Sequence, residues 1–244
     1  MGRLLISMAL ASALLVAACG EGRPSLYQAA GQGDLAMVRE LLADGADINR
    51  LDGGGYTALH AAIIHRHPRV TRYLVEQGAD VNAAGIYGVM PLHLAVDVDT
   101  VRLLLAHGAR VDAWAKTRGT PLHAAVNQNS VEAVRLLIAA GAPLDAGDIH
   151  GSTALHHAAG KGMSVTVALL LEAGAAVDPR NDSGYTPLHW AAGNGHAHVV
   201  AILLQSGASP DLKNADGATP RDVALAKGHA DVARLLAMEK PRSS

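Results

Sequence analysis

The 244-residue chain predicts an all-α fold, a solenoid of about seven helix-turn-helix units joined by β-hairpin-like loops. Three observations carry that prediction. Leu-His recurs at 59–60, 92–93, 122–123, 155–156 and 188–189. Gly-Ala recurs with its glycine at 45, 78, 108, 141, 174 and 207. The residues that open successive units, Thr57, Met90, Thr120, Thr153, Thr186 and Thr219, follow one another at steps of 33, 30, 33, 33 and 33 residues. A fixed period of this size marks a stack of small modules, none of which can bury its own apolar face alone.

The stretch Thr186–Ala208, TPLHWAAGNGHAHVVAILLQSGA, shows how one module is built. Thr186 suits a helix N-cap and Pro187 the first helical position, which needs no backbone donor. Leu188, Ala191 and Ala192 form a narrow apolar face, after which Gly193 and Gly195 break the helix. Val199, Val200, Leu203 and Leu204 form the stripe of a second helix, and Gly207 closes it as a left-handed cap. The period and the TPLHxA signature resemble the ankyrin repeat. The resemblance covers about residues 25 to 239 and implies a non-enzymatic, monomeric, protein-binding solenoid with no cofactor.

The N-terminus reads as a separate object. Arg3 precedes an apolar run, Leu4 to Ala18, too short for a membrane span and suited to a secretory signal. Val16-Ala17-Ala18-Cys19 resembles the lipobox of bacterial lipoproteins, and Cys19 is the chain's single cysteine. That resemblance implies a signal peptide over residues 1–18, acylation of Cys19, and a short tether over 19–24. The alternatives are an ordinary signal cleaved nearby and, behind it, a retained anchor or a misread cytosolic start. The implied location is a bacterial cell envelope, and Gly20 rather than Asp after the cysteine favours the outer membrane, facing the periplasm, in a Gram-negative cell.

Repeats then begin near 25, 57, 90, 120, 153, 186 and 219 and end near 239, with 240–244 a flexible tail. The first repeat lacks the Thr-Pro opening and is more polar, as a capping unit should be. The third is three residues short, which predicts a tightened inter-helix turn near Asp97 to Thr100. In the last, Arg221-Asp222 replaces Leu-His, resembling a terminal ankyrin unit. Gly55, Gly88, Gly151, Gly184 and Gly217 stand two residues before each opening Thr or Met, where positive φ is expected. Arg118 takes that place before Thr120, so either the turn is rebuilt around Gly119 or Arg118 is strained.

A net charge of −2 offers nothing to nucleic acid. No nucleophile elbow, phosphate-binding glycine loop or HExxH is present. Five of the 13 histidines, His60, His93, His123, His156 and His189, sit at the repeat period and read as a structural ladder, not as metal ligands. His157 is a neighbour of that ladder whose exposure stays open. Asp112, Asp145, Asp178 and Asp211 recur at one period and are expected to satisfy loop donors, and Trp190 is expected to pack between repeats.

The candidate partner-binding residues are those that escape the period. At the ends of the first helices they are Ile64, His65, Gln128, Lys161 and Asn194. On the loop tips they are Ile86, Tyr87, Trp114, Lys116, Ile149, His150 and Arg180. Ile86, Tyr87 and Trp114 fall on adjacent tips and are expected to centre an apolar contact patch. Trp114 has one competing placement, folded back on its own loop beside Arg118. The family resemblance leaves the partner protein unidentified. Exported bacterial relatives support a catalase or neutralise a toxin as immunity proteins; a metal-handling or enzymatic lipoprotein and a host-directed effector are remoter alternatives.

Overall fold

The computed structural model describes residues 23–238. The proposed signal peptide, the lipobox with Cys19 and the tail 240–244 lie outside the described residues. Among the described residues fourteen α-helices follow as seven pairs: Leu26–Gln32 (α1) and Leu35–Ala43 (α2), Ala58–Ile64 (α3) and Pro68–Glu76 (α4), Pro91–Leu94 (α5) and Val98–Ala106 (α6), Pro121–Asn127 (α7) and Val131–Ala139 (α8), Ala154–Gly160 (α9) and Ser164–Glu172 (α10), Pro187–Gly193 (α11) and Ala197–Gln205 (α12), Pro220–Ala226 (α13) and Ala230–Met238 (α14). Helices of so few turns are marginal alone and hold through packing.

The packing is a two-layer stack. Leu59, Leu122, Leu155 and Leu188 from the first helices and Leu74, Leu104, Leu137, Leu170 and Leu203 from the second are fully buried. Each contributes on the order of 1.5–3 kcal/mol by leaving water. Paired alanines, Ala61-Ala62, Ala158-Ala159 and Ala191-Ala192, keep the first helices thin enough to stack. Leu103 and Leu105 are half-buried and pack against the core beside the fully buried Leu104.

Between first and second helix the chain turns at one left-handed residue. It is Gly33, Gly162, Gly195 and Gly228 in four repeats, but Arg66 (φ 59°) and Asn129 (φ 58°) in two. At three of the four glycines the reason is the neighbouring repeat. A Cβ at Gly33 would meet the His67 ring at 2.5 Å, at Gly162 the His196 ring at 2.7 Å, and at Gly195 the His229 ring at 2.6 Å. After Arg66 and Asn129 the next second helix is capped by Asp97 and Met163 instead, and a side chain is tolerated. As expected, α11 ends at Gly193 and the chain turns at Gly195; a Cβ at Gly193 would meet Val223 at 2.8 Å.

The third repeat departs from expectation. Its three missing residues come out of α5, which has four residues where the other first helices have seven. The second helix, α6, keeps all nine residues, with Asp97 as its N-cap and Thr100 within it. The contraction therefore falls before Asp97, at Ala95 and Val96, and not over Asp97 to Thr100. At the fourth repeat's entrance the turn is rebuilt: Gly119 takes positive φ (66°), Arg118 does not, and Ala115 and Gly119 form a bridge.

The loop tips are hairpin-like without strands among the described residues. Each is closed by a backbone bond to the residue four further on, as Asp52 N–H to Tyr56 O at 2.8 Å and Asp148 N–H to Ser152 O at 2.9 Å. A second ladder ties the repeats together where each helix pair ends. Asn49 accepts from Asp80 N–H (2.8 Å), Asn82 from Arg110 N–H (2.8 Å), Asp145 from Ala176 N–H (2.9 Å) and Asp178 from Ser209 N–H (2.9 Å). Asp112 drops out because the corresponding donor would be Pro143, which has no N–H; it pairs with Arg110 at 3.1 Å instead.

Candidate functional site

The histidine ladder is built by both ring nitrogens. Nδ1 accepts the N–H of the opening residue of its own repeat, at 3.2 Å for His60, 3.1 Å for His93, 3.2 Å for His123, 3.1 Å for His156 and 3.1 Å for His189. Nε2 donates to a carbonyl of the next repeat: Val89 for His60 (3.0 Å), Ser152 for His123 (2.9 Å), Tyr185 for His156 (2.9 Å) and Ala218 for His189 (3.1 Å). His93 shares its proton between Ala113 O and Gly119 O, each at 3.2 Å. The ring must therefore be neutral with its proton on Nε2. Burial pushes all five below the ordinary histidine value, His156 to about 4.

At the two ends other side chains serve. Gln28 closes the first capping box on Ser25 N–H (2.8 Å), and the Asp222 carboxylate closes the last on Thr219 N–H (3.0 Å). The Thr219 hydrogen bonds hold that carboxyl below the usual range. The ladder thus joins repeats and leaves no ring nitrogen for a metal, and among the described residues no cluster of three His, Cys, Asp or Glu is placed to hold one.

His157 lies beside this ladder, half-buried, its Nε2 2.8 Å from Asp148 Oδ2. The other Asp148 oxygen accepts His150 N–H (2.8 Å) and Ser152 N–H (3.0 Å), so one carboxylate shapes the fourth tip and holds His157. Despite burial, these hydrogen bonds keep the Asp148 carboxyl low. Trp190 packs between repeats as expected, its ring 5.6 Å from His156 and 5.4 Å from His157, and it needs Gly160, whose Cβ would meet it at 2.8 Å.

The tips stand in one row. Ile86 N–H bonds Gly55 O (3.1 Å), Lys116 N–H bonds Tyr87 O (3.0 Å), Asp182 N–H bonds His150 O (3.0 Å) and Ala215 N–H bonds Ser183 O (3.0 Å). Among the described residues no such backbone bond joins the third tip to the fourth. There the Trp114 indole N–H donates to Gly147 O at 3.1 Å. Trp114 therefore reaches forward to the next repeat, and does not fold back beside Arg118.

On this row Ile86, Tyr87, Trp114 and Ile149 are exposed at 42%, 59%, 48% and 49%. Lys116, His150 and Arg180 are exposed beside them, with Arg180 Nη2 on Lys213 O (2.6 Å). At the opposite ends of the first helices lie Ile64, His65, Lys161 and Asn194, all exposed, and Gln128, half-buried. Lys161 Nζ donates to Asn127 O (2.9 Å) and Asn194 Nδ2 to Trp190 O (2.9 Å). The candidates thus form two groups, one on the tips and one at the inter-helix turns. Leu51, 49% exposed on the first tip, was not foreseen; an aliphatic residue opening Leu-Asp-Gly-Gly-Gly was the available signal.

A family model for ankyrin repeats in three copies matches residues 7–85, 26–117, 92–181 and 166–243. The human ASB11 ankyrin repeat domain superposes with a TM-score of 0.79 at 30% identity, covering 91% of this chain and all of that one. The ankyrin repeat domain of Bcl-3, described as a member of the IkappaB protein family, gives a TM-score of 0.73 at 34% identity, covering 88% of this chain and 99% of that one. Similar curated proteins include the putative palmitoyltransferase ZDHHC13 of Danio rerio, 36% identical over 44% of this chain. Human protein phosphatase 1 regulatory subunit 27 is 38% identical over 37% of this chain. The chain spans 18% of the first relative's length and 59% of the second's, so the names of those whole proteins describe more than the shared repeats. The period, the stacked helix pairs and the family match agree: the chain belongs to the ankyrin-repeat family and is built as a protein–protein interaction module.

Proposed function

We propose that the protein is a non-enzymatic adaptor that binds one protein partner, with the contact centred on Ile86, Tyr87, Trp114 and Ile149. The observation that carries this reading is four large apolar side chains exposed on three consecutive tips, in a fold whose other large apolar side chains are mostly buried. The indole N–H of Trp114 is satisfied by Gly147 O, so the ring is oriented before a partner arrives, which lowers the entropy cost of binding. Crosslinking in the native cell, with mass spectrometry of the captured protein, identifies the partner. Trp114→Ala with Tyr87→Ala should lose that capture while circular dichroism stays unchanged; unchanged capture refutes the patch.

The same reading places the solenoid on a bacterial envelope membrane through acylated Cys19. The support is the Val16-Ala17-Ala18-Cys19 pattern after an apolar run. More than one acyl chain would anchor it firmly, where a single chain binds reversibly. Palmitate labelling lost on Cys19→Ser, and processing blocked by globomycin, are the expected results; a chain processed normally in globomycin refutes the anchor. Whether the partner is a toxin or an oxidative-stress enzyme such as a catalase follows from the protein that crosslinks.

A further inference from the structure

The loss of one turn from α5 opens a notch in the solenoid edge opposite the tips. It is a cleft of about 590 Å³ whose walls come from three successive repeats. Ile63 forms part of its floor and Pro68 and Val96 are reachable on its walls. Its polar groups are mostly acceptors. Asp97 spends one oxygen on Thr100 N–H (2.7 Å) and keeps the other without a protein partner among the described residues. Asp99 is exposed and unpaired there, and the Gln128 side-chain oxygen is buried with no hydrogen-bond partner. Among the lining donors, His67 Nε2 is committed to Gly31 O at 2.9 Å, and Arg66 is exposed. Two carboxylates against one guanidinium leave an excess of negative charge, and a buried unpaired acceptor calls for a donor.

The notch also breaks the repeat symmetry on both sides. Arg66 and Asn129, the two non-glycine residues at the left-handed position of inter-helix turns, flank it. A periodic stack presents equivalent surfaces at every repeat, whereas among the described residues only α5 is cut to four residues, so the shape of this cleft does not recur with the period. We propose that it is a socket for one long basic side chain of the bound protein. The methylene stem lies along Pro68 and Val96, and the cationic head is taken by Asp97, Asp99 and the Gln128 amide. An apolar stem with a multiply donating cation fits these walls and acceptors; an anion would face two carboxylates.

The inference rests on the reading of the chain as a protein-binding module, but on no part of the tip patch. The test is a ¹H–¹⁵N titration of the full chain with acetyl-Gly-Arg-Gly-amide, and with its lysine and citrulline counterparts. The arginine peptide should shift the amides of Val96 to Thr100 and the Gln128 side chain, saturating at ~1–10 mM. The citrulline peptide, equal in shape and uncharged, should bind at least about tenfold more weakly. Asp97→Asn with Asp99→Asn keeps the helix cap, since asparagine also caps, and should weaken the arginine peptide by about tenfold or more. Inserting one helical turn, Ala-Ala-Gly, after Ala95 should abolish the shifts. Equal shifts from arginine and citrulline, no saturable shift at about 20 mM, or retained binding in the insertion variant would overturn the socket. Partner capture through the tips is a separate measurement, so either reading can fail while the other stands.

Discussion

His156 makes the solenoid sensitive to acid in a way that can be worked out from one ring. It is fully buried, accepts from Thr153 N–H and donates to Tyr185 O, so a second proton on Nδ1 would face a donor. Burial lowers its pKa from 6.5 to about 4. The unfolded chain therefore binds this proton first as pH falls. The stability His156 confers is fully present above pH 6.5 and is lost down to about 4, below which no more is lost. Linkage between these two values gives a loss of about 2.5 kcal/mol from pH 7.5 to pH 4.5, and a slope of roughly 1.2 kcal/mol per pH unit near pH 5.5. The perturbation is His156→Gln, which keeps a capping acceptor as Gln28 does in the first repeat and removes the proton site. Urea unfolding followed by circular dichroism at 222 nm, for both proteins at several pH values, isolates the term, because carboxylate titrations cancel in the difference. The variant should be less stable at pH 7.5 by about 1–3 kcal/mol, since the Tyr185 carbonyl loses its donor. Its disadvantage should shrink by about 2.5 kcal/mol on going to pH 4.5. Parallel stability curves for the two proteins would refute the neutral, doubly bonded ring.

Gly162→Ala should lower stability by at least about 1–2 kcal/mol, because φ is 70° and the added Cβ meets His196 Nδ1 at 2.7 Å; an unchanged urea midpoint contradicts this. Asp145→Ala should cost about 0.5–1.5 kcal/mol by freeing Ala176 N–H, whereas Asp112→Ala should leave the melting temperature unchanged, since Pro143 offers no donor there. Equal effects of the two substitutions in a thermal melt would be the contrary result. Tyr87→Ala with Trp114→Ala should weaken the identified partner by about 30-fold or more in calorimetry, the scale of truncating aromatic anchors. An affinity within about threefold of wild type would remove these residues from the contact.

Most of the fold was legible because most repeats carry their own boundary marks. A threonine opens five of the seven, Gly-Ala closes six, and in five a histidine three residues after the opening closes the capping box. What was not legible depended on other repeats. The spacing of 30 announced a deletion but not where it fell. The deletion falls in α5, which has four residues, while α6 keeps all nine with Val101 and Leu104 in the core. The requirement for Gly33 or Gly162 likewise resides in a histidine of the following repeat, and could be read only by pairing the two positions. For the candidate site, exposure of the tip residues followed from their escape from the period. The direction of Trp114 did not, since it depends on a Gly147 carbonyl one repeat away.

The departures from the period bear on each other. A solenoid of equivalent repeats offers a partner several equivalent registers, so a single register must be specified by what differs. In this chain the differences gather from the third repeat to the entrance of the fifth. There α5 loses a turn, the entrance to α7 is rebuilt on Gly119, the tip-to-tip backbone bond is missing, and Asp112 leaves its ladder for Arg110. The last two remove ties between neighbours in a stack whose stability is a sum of nearest-neighbour terms. Trp114 replaces one lost tie with a side-chain bond while keeping its ring in water. A tryptophan used only to restore the tie would gain more by burying its ring than by the one hydrogen bond it makes, since burial is worth about 25 cal/mol for each Å² of apolar surface. Its half-exposed ring, next to Tyr87 and Ile86 on the adjoining tip, is therefore better accounted for by a second surface that completes the burial than by the needs of the fold alone.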